Sequence, residues 1–308
     1  MNAWRRIAEG AAADYTAFLS AFAKPRDTQF AQLRTILAVN RNSEFGKHYG
    51  FNDMRDVNEF RARVPVHSYA DLAQDIARMT RGARDVLCGM PVHAYEETGG
   101  SSGGAKLIPY TDESLAAFRR ALLPWFADLI RSRPGICDGR AYWALSPVVR
   151  ARRKTPDGTP IGLSSEAEYL GPVLAPHFSA LSVVPPELAC VTNMDTWRYL
   201  ALRYLLDAED LTLISVWSPT FLFPLLETLM EQRDRLTEDV AVGKVCGMPE
   251  ELAFPAPGLA PKPERARTIA RALCGAIPDT HKLWPRLDTI SCWTDAGSRR
   301  FCARLREQ

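Results

Sequence analysis

The sequence predicts an α/β protein that begins with a helical segment. Two observations lead to this fold class. Apolar residues recur at helical spacing through about the first 80 residues, and short extended segments then alternate with amphipathic helices. Of 308 residues, 46% are apolar and 24% are charged, close to the average of globular proteins. The net charge of +2 gives no sign of nucleic-acid binding.

Two helices are predicted in the first 40 residues. The first should end at Pro25, because the proline ring cannot continue a helix. Asp27 or Thr28 is expected to cap the second. The apolar faces comprise Trp4, Ile7, Ala11, Tyr15, Phe18 and Phe22 in the first helix, and Phe30, Leu33, Ile36 and Leu37 in the second.

Shorter pieces should complete the helical segment. Residues 40–50 are polar and contain glycine, which predicts a turn. Val57–Arg63 and Tyr69–Met79 are each predicted as a short helix. Val64 and Pro65 close the first of them, because a residue before proline is biased away from the helical conformation.

The α/β part of the chain, after about residue 80, should start with strands. The extended segments expected there are 86–88, 92–95 and 106–109. Thr111 is predicted to cap a helix that runs to Arg131. Asp112 and Glu113 fall in its first turn, where the helix dipole favours anions. The apolar face of this helix comprises Leu115, Phe118, Leu122, Trp125, Phe126 and Leu129.

Strands and helices continue to alternate along the remainder, without an internal repeat. The expected strands are 141–145, 211–217 and 287–293, and the expected helices are 195–206 and 221–236. Glycine and proline are frequent in 150–162 and 252–263, which are predicted as a loop and an extended surface crossing.

The seven cysteines are scattered and form no C-x-x-C pair. This pattern argues against a disulfide framework or a zinc ribbon, and indicates reduced thiols in a cytoplasmic protein. The first ten residues do not resemble a secretory signal. The most apolar long stretch, 211–230, contains Pro219, Pro224 and Glu227, so it suits a buried strand and helix better than a membrane span. We therefore expect no membrane association.

A glycine-rich loop is the most informative feature of the sequence. It comprises Thr98, Gly99, Gly100, Ser101, Ser102, Gly103, Gly104, Ala105 and Lys106. Glycines let a backbone turn sharply and bring its N–H groups close to an anion. Serine hydroxyls add donors, and a lysine adds a mobile positive charge. A phosphate-binding loop is therefore one interpretation, and a flexible turn between two strands is the other.

The loop differs from two common nucleotide motifs. A Walker A loop places Lys and then Ser or Thr directly after its second glycine. Here Ala105 follows Gly104, Leu107 follows Lys106, and an extended segment comes next instead of a helix. The dinucleotide fingerprint G-x-G-x-x-G does not occur either.

Further stretches resemble one known family. They are 42–51, 60–61, 64–66 with Tyr69, 98–110, 142–147, 168–171, 210–222, 283–285 and 291–293. The loop resembles the phosphate-binding loop of adenylate-forming enzymes, T-[SG]-G-[ST]-[ST]-G-x-x-K. Within that superfamily the whole chain resembles the auxin-responsive Gretchen Hagen family of acyl-acid amido synthetases, especially its bacterial members.

The resemblance implies a fold and a reaction. The fold is the large N-terminal domain of an adenylate-forming enzyme, with mixed sheets and flanking helices. In the reaction, a carboxylic acid attacks the α-phosphate of ATP, with Mg²⁺ present, to give an acyl-adenylate and pyrophosphate. An amine, typically of an amino acid, then forms the amide.

The same resemblance implies roles for the loop. Ser101, Ser102, Gly103 and Gly104 would contact the β- and γ-phosphates, and Lys106 would support them. Holding pyrophosphate as its charge develops requires positioning and electrostatics, which such a loop can supply. No residue is assigned to catalysis or to a metal.

Members of the family are longer than this chain. The resemblance implies that residues 1–308 are an incomplete large domain, with 1–80 as a helical lead-in and 81–308 as the α/β part. The later motifs for adenine, ribose and metal, and the small C-terminal lid domain, have no counterpart before Gln308. A truncated product and one half of a split protein both remain open.

Two sets of residues are candidates for the acyl-acid pocket. In relatives the helix after the loop borders this pocket, and its inward face here would be Phe118, Leu122 and Trp125. The second set is Trp217, Thr220 and Phe221, at the end of a predicted strand where α/β sites tend to lie. For both sets, simple core packing is the other interpretation.

The sequence gives less support to a histidine-based site, a hydrolase site or paired catalytic carboxylates. The five histidines are far apart, and no G-x-S-x-G elbow occurs. The basic run of Arg150, Arg152, Arg153 and Lys154 could steer ATP or form a solvated loop. Glu166 and Glu168 are read as part of a loop that leads into a strand.

Two rival functions stay open. Thioester formation with coenzyme A would use the same first half-reaction and the same loop. A chain that binds a nucleotide or a partner chain without turnover is the other rival, and it should expose an apolar surface.

Overall fold

The computed structural model describes residues 3–98, 106–143, 153–163, 166–245 and 258–307. The chain forms two compact units. The hairpin unit comprises Gly10–Ala127 and Arg152–Ala175. The parallel-sheet unit comprises Met1–Glu9, Asp128–Ala151 and Pro176–Gln308. The predicted division near residue 80 stays a prediction.

Helices and strands alternate after a helical start, as the sequence predicts. The helices are α1 (Ala3–Ala23), α2 (Pro25–Asn40), α3 (Glu44–Tyr49), α4 (Val57–Arg63), α5 (Tyr69–Met79), α6 (Asp112–Ser132), α7 (Gly171–Leu181), α8 (Met194–Asp207), α9 (Leu222–Glu231), α10 (Arg233–Val242), α11 (Pro263–Ala272), α12 (Thr280–Leu283) and α13 (Arg299–Leu305). The strands are β1 (Val92–Thr98), β2 (Lys106–Thr111), β3 (Arg140–Trp143), β4 (Arg153–Lys154), β5 (Pro160–Ile161), β6 (Leu211–Ser215) and β7 (Thr289–Ser291).

The start of α2 differs from the prediction. The helix begins at Pro25 itself, and neither Asp27 nor Thr28 caps it. Proline suits the first helical position, because its missing N–H would have no partner there and its φ angle is already helical. The same proline therefore ends α1 and begins α2.

Residues 40–50 contain a helix rather than only a turn. Ser43 caps α3, because its Oγ accepts the N–H of Gly46 at 2.9 Å. The N–H groups of Glu44 and Phe45 donate to the carbonyls of Asp85 and Val86, at 2.7 and 3.0 Å. The second bond engages Val86 of the segment 86–88. The sequence predicts an extended conformation there, but the segment is not a strand.

The hairpin unit holds a four-stranded mixed sheet in the order β2-β1-β5-β4. Strands β1 and β2 are antiparallel, β1 and β5 are parallel, and β4 and β5 are antiparallel. The loop predicted over 150–162 is therefore wrong from Arg153 to Ile161, which form a short hairpin. Asp157 closes its turn by accepting bonds from the Thr155 hydroxyl and from the Thr159 N–H.

Helix α6 begins as expected. The hydroxyl of Thr111 accepts the N–H of Ser114 at 3.2 Å, and the helix runs on to Ser132. The segment after the second hairpin is different from the prediction. Residues Glu166–Leu170 form a 3₁₀ turn that leads into α7 and not into a strand.

The parallel-sheet unit is built on three parallel strands in the order β3-β6-β7. Strand β6 is central, and its Leu211 and Leu213 are fully buried. Helix α8 is buried along most of its length. The indole N–H of Trp284 donates to the carbonyl of Leu205 at 2.8 Å, which ties the segment before β7 to this helix.

A buried polar network joins α8 to α10. The guanidinium of Arg203, which is fully buried, donates to the carbonyl of Asp239 at 3.1 Å and to Asp207 at 3.2 Å. The hydroxyl of Tyr199 donates to the Asp239 carboxylate at 2.6 Å. Residues 221–236, predicted as one helix, are divided between α9 and α10 at Gln232.

Within the described part of the chain, none of the helices has the length and apolar character needed to cross a membrane.

Candidate functional site

The glycine-rich segment joins two paired strands. Thr98 ends β1, Lys106 begins β2, and the two are directly opposite each other in the antiparallel register. Both side chains are exposed. The predicted phosphate contacts Gly99, Gly100, Ser101, Ser102, Gly103 and Gly104 lie outside the described residues.

Tyr69 contacts the residues where β2 begins. Its Oη accepts the N–H of Leu107 at 2.9 Å and lies 3.4 Å from the Leu107 carbonyl, to which it donates. The Nζ of Lys106 lies 5.6 Å from the centre of the Tyr69 ring, within cation–π range. The sequence pattern predicts Tyr69 in a helix and in a family motif, but indicates no role for it. The contact joins residues 38 positions apart, which no local pattern signals.

The β1 side of the connection is held by an ion pair. Arg153 on β4 pairs with Glu97, which precedes Thr98 on β1. This carboxylate balances the charge of Arg153, so Arg153 is less suited to steering ATP than the sequence allowed. Burial raises the pKa of the neighbouring Glu96 carboxyl, and the charge of Glu97 adds to this effect. Arg150 and Arg152 of the basic run lie outside the described residues.

The first set of acyl-pocket candidates lies on α6 in the hairpin unit. Leu123 and Phe126 are buried, whereas Phe118 and Trp125 are 38% and 37% exposed, and Leu122 is half-buried. Phe118 and Trp125 therefore lie at the surface of α6, and Leu123 and Phe126 pack into the core. The assignment of Phe118, Leu122 and Trp125 to an acyl pocket stays a prediction.

Phe118 nevertheless has a defined neighbour. Its ring lies 4.4 Å, between centroids, from that of Tyr169. The Nε of Arg119 donates to the Tyr169 carbonyl at 3.3 Å, and Tyr110 meets the same ring edge-on at 6.4 Å. An exposed aromatic surface supported by ordered neighbours can contact a flat apolar ligand.

The second set lies in the parallel-sheet unit, at the carboxyl ends of its strands. Trp217 follows β6 and is 59% exposed. Phe221 is half-buried and meets the buried Trp197 edge-on at 5.8 Å, so core packing accounts for it. Thr220 is exposed, and its Oγ1 lies 2.8 Å from the Oγ of Ser218.

Trp293 is a further candidate at this edge, which the sequence analysis did not select. It follows β7 as Trp217 follows β6, and it is 61% exposed. The Trp293 N–H donates to the Trp217 carbonyl at 3.0 Å, and the two indoles meet edge-to-face at 5.6 Å. The carboxyl end of a parallel sheet is the usual place for ligands in α/β folds. A tryptophan at the end of each of the predicted strands 211–217 and 287–293 was the available signal.

Metal ligands and histidines add little to these sites. No cluster of three or more His, Cys, Asp or Glu suited to a metal occurs among the described residues. His93 lies 3.7 Å from Asp112 and 4.0 Å from Glu168, and is half-exposed. The Nε2 of His67 lies 3.0 Å from the Tyr49 hydroxyl, which is a structural contact.

Comparison with known proteins identifies relatives over most of the chain. Residues 15–308 match the model of the GH3 family N-terminal domain. Indole-3-acetic acid-amido synthetase GH3.3 of Arabidopsis thaliana is 33% identical over 142 residues, which are 44% of this chain and 23% of that protein. The probable indole-3-acetic acid-amido synthetase GH3.12 of Oryza sativa subsp. japonica is 27% identical over 304 residues, 91% of this chain and 48% of that protein.

A solved structure supports the same fold. The AtGH3.15 acyl acid amido synthetase in complex with 2,4-DB superposes with a TM-score of 0.77 at 19% identity. The match covers 94% of this chain and 52% of that structure. The chain thus spans at most about half the length of these relatives.

Proposed function

The chain belongs to the GH3 family of acyl-acid amido synthetases, and from this premise we propose that it binds ATP and activates a carboxylic acid as an acyl-adenylate for transfer to an amine. The family resemblance inferred from the sequence is confirmed, as is its α/β fold. The nucleotide site, the acid and the acceptor are the proposed parts.

One observation carries the proposal for the nucleotide. The segment with the phosphate-loop pattern connects two antiparallel strands, and its lysine begins β2 with an exposed side chain. An exposed ammonium group can reach an anionic ligand at small cost, because it gives up no buried contact. Lys106 would therefore neutralise phosphate charge as pyrophosphate forms.

Within this proposal, loop residues 98–106 hold the triphosphate. Serine hydroxyls and backbone N–H groups supply donors, and Lys106 supplies positive charge. Mg²⁺ would enter with the phosphates, whose oxygens commonly supply part of its coordination, and would neutralise charge on them. The described residues assign no protein ligand to it.

The acid is proposed to be an apolar carboxylate. Phe118 and Trp125 on α6, and Trp217 and Thr220 after β6, are the candidates to contact it. Support comes from the exposure of the three aromatic side chains, since a ring that only packs a core would be buried.

Calorimetry with MgATP tests the nucleotide site. We expect Lys106→Ala and Ser102→Ala to weaken MgATP binding, with little change in the melting temperature because loop residues contribute little to a core. Lys154→Ala, an exposed lysine on β4, is the matched control. Equal effects of Lys154→Ala and Lys106→Ala would mean that only general charge is involved. Losses of binding that follow losses of stability would mean that the loop is structural.

Pyrophosphate exchange tests the chemistry. We expect exchange that depends on a particular acid from a panel of aryl, indole and alkyl carboxylates. Adding amino acids or coenzyme A to the same assay then distinguishes amide from thioester formation. MgATP binding without exchange for any acid would favour the second candidate function, nucleotide binding without turnover. The exposed Ile290 on β7, with Trp217 and Trp293 beyond the ends of β6 and β7, favours that candidate, because such a surface also suits a partner chain.

A further inference from the structure

We propose that Tyr69 is a positioning residue for Lys106, and that it holds the ammonium group ready for the phosphates of ATP. The inference rests on the proposed function, because it gives Lys106 its role in phosphate binding. The contacts of Tyr69 on which the inference depends are observed in the structure whether or not the chain binds ATP.

The position of Tyr69 is determined by the capped start of α5. Tyr69 is the first residue of that helix, and Ser68 is its N-cap. The N–H and the hydroxyl of Ser68 both donate to the Asp71 carboxylate, at 2.7 and 2.8 Å. The bond from the Ser68 N–H to the Asp71 side chain is one half of a capping box, which restricts the direction in which the chain enters the helix. The Tyr69 ring is half-buried and, like Leu72 and Leu107, packs against a buried apolar cluster of the hairpin unit.

The Tyr69 hydroxyl anchors the backbone of β2 directly after Lys106. It accepts a bond from the Leu107 N–H and donates to the Leu107 carbonyl. Leu107 also faces Glu97 in the β1–β2 register. The backbone at the base of the Lys106 side chain is thus held from two sides, by the strand pairing and by Tyr69.

The Tyr69 ring restricts the other end of the Lys106 side chain. Its face attracts the ammonium group, at 5.6 Å from the ring centre. A free lysine side chain loses rotamer freedom when it binds an anion. A side chain already confined by the ring has less freedom to lose, so the ring should favour phosphate binding by pre-organisation. The contact is weak enough at an exposed site to release the ammonium group to a stronger anion.

Two variants of Tyr69 separate the hydroxyl from the ring. Tyr69→Phe removes the bonds to Leu107 and keeps the cation–π contact. Tyr69→Leu removes both and keeps an apolar side chain in the cluster. Tyr49→Phe is the matched control: Tyr49 is also half-buried, and its hydroxyl bonds to the His67 side chain and not to β2.

The decisive measurement is the Kd for MgATP of the 308-residue chain in a double-mutant cycle with Lys106→Ala. We expect Tyr69→Leu to raise Kd by about threefold to tenfold, the range for losing a cation–π contact and local order. Tyr69→Phe should raise it less. In the Lys106→Ala background, Tyr69→Leu should change Kd by less than about twofold, because Tyr69 acts through the lysine. Tyr49→Phe should leave Kd unchanged, although it should lower the melting temperature about as much as Tyr69→Phe does.

The outcomes separate this inference from the function on which it rests. An equal effect of Tyr69→Leu with and without Lys106 would overturn the positioning role and leave the phosphate site standing. No effect of Lys106→Ala, or no MgATP binding by the unaltered chain, would overturn both. Should Tyr69→Leu fail to fold, an unchanged Kd in Tyr69→Phe together with unchanged NMR shifts of the Lys106 side chain would overturn the positioning role.

Discussion

At the scale of single residues, the sites depend on contacts between residues far apart in the chain. Lys106 and Tyr69 meet through a helix start and a strand start, and Trp217 meets Trp293 through adjacent parallel strands. In each pair the sequence pointed to one member, Lys106 or Trp217, because a local motif or a strand end marked it. Tyr69 has no such mark, and the strand-end position of Trp293 does not by itself show that Trp293 meets Trp217. Pairing is a property of the fold, which local spacing does not encode.

Gly171 is a residue at which an added methyl group should be costly. Its φ of +73° disfavours side chains, and a Cβ there would lie 2.5 Å from the guanidinium carbon of Arg119, so the guanidinium would have to move away from the Tyr169 carbonyl to which it donates. Gly162 has a φ of +86° but open space around it. We expect Gly171→Ala to lower the free energy of unfolding by about 1–3 kcal/mol, and by more than Gly162→Ala does, as measured by urea denaturation. Equal losses at both positions would show that only backbone strain matters.

At the scale of elements, the sequence predicted helices well where a cap and a repeating apolar pattern coincide. Val57–Arg63 and Tyr69–Met79 have the predicted bounds, preceded by Asp56 and Ser68 as N-caps. Helix α3 was missed because its six residues show no period, and its first N–H groups bond to Asp85 and Val86. The strands β4 and β5 have two residues each, too few for any alternation to appear.

The cap of α3 can be tested by one substitution. Ser43 is fully buried, and its hydroxyl accepts the Gly46 N–H and donates to the Asn40 carbonyl at 2.8 Å. Ser43→Ala leaves both groups without this partner, so we expect a loss of about 1–2 kcal/mol in the free energy of unfolding. Ser20→Ala, on an exposed turn of α1 where the hydroxyl bonds only to the Thr16 carbonyl, should change stability far less. A loss no larger than that of Ser20→Ala would contradict the capping role.

At the scale of the whole molecule, stability should fall in acid. Hydrogen bonds lower the pKa of several carboxyls: Arg78 acts on Glu44, Ser68 on Asp71, Arg140 on Asp210, Lys282 on Asp279, and the Ala296 N–H on Asp295. These groups bind protons less readily in the folded chain than in the unfolded chain. Their contribution is therefore present above the unfolded pKa, about 4, and is lost as the pH falls through the folded values.

We expect the melting temperature to change little between pH 7 and pH 6 and to decrease steadily below about pH 4. Asp210→Asn removes one of these carboxylates, whose two oxygens each accept a bond from Arg140 at 2.8 Å. The melting temperature of this variant should be lower at pH 7 than that of the unaltered chain. It should also decrease less when the pH is lowered. Equal melting temperatures at pH 3 and pH 7 would contradict the expectation.

The exposed indoles of Trp217 and Trp293 also have an optical consequence. Trp4, Trp143, Trp197 and Trp284 are all buried, so their emission should lie toward the blue and resist dissolved quenchers. The two indoles after β6 and β7 should emit further to the red and be quenched by iodide, more strongly than Trp125 on α6, which is 37% exposed. The chain therefore carries a natural fluorescent reporter at one edge of its parallel sheet. Any molecule that covers this edge should reveal itself by a blue shift and by protection from iodide, without an attached dye.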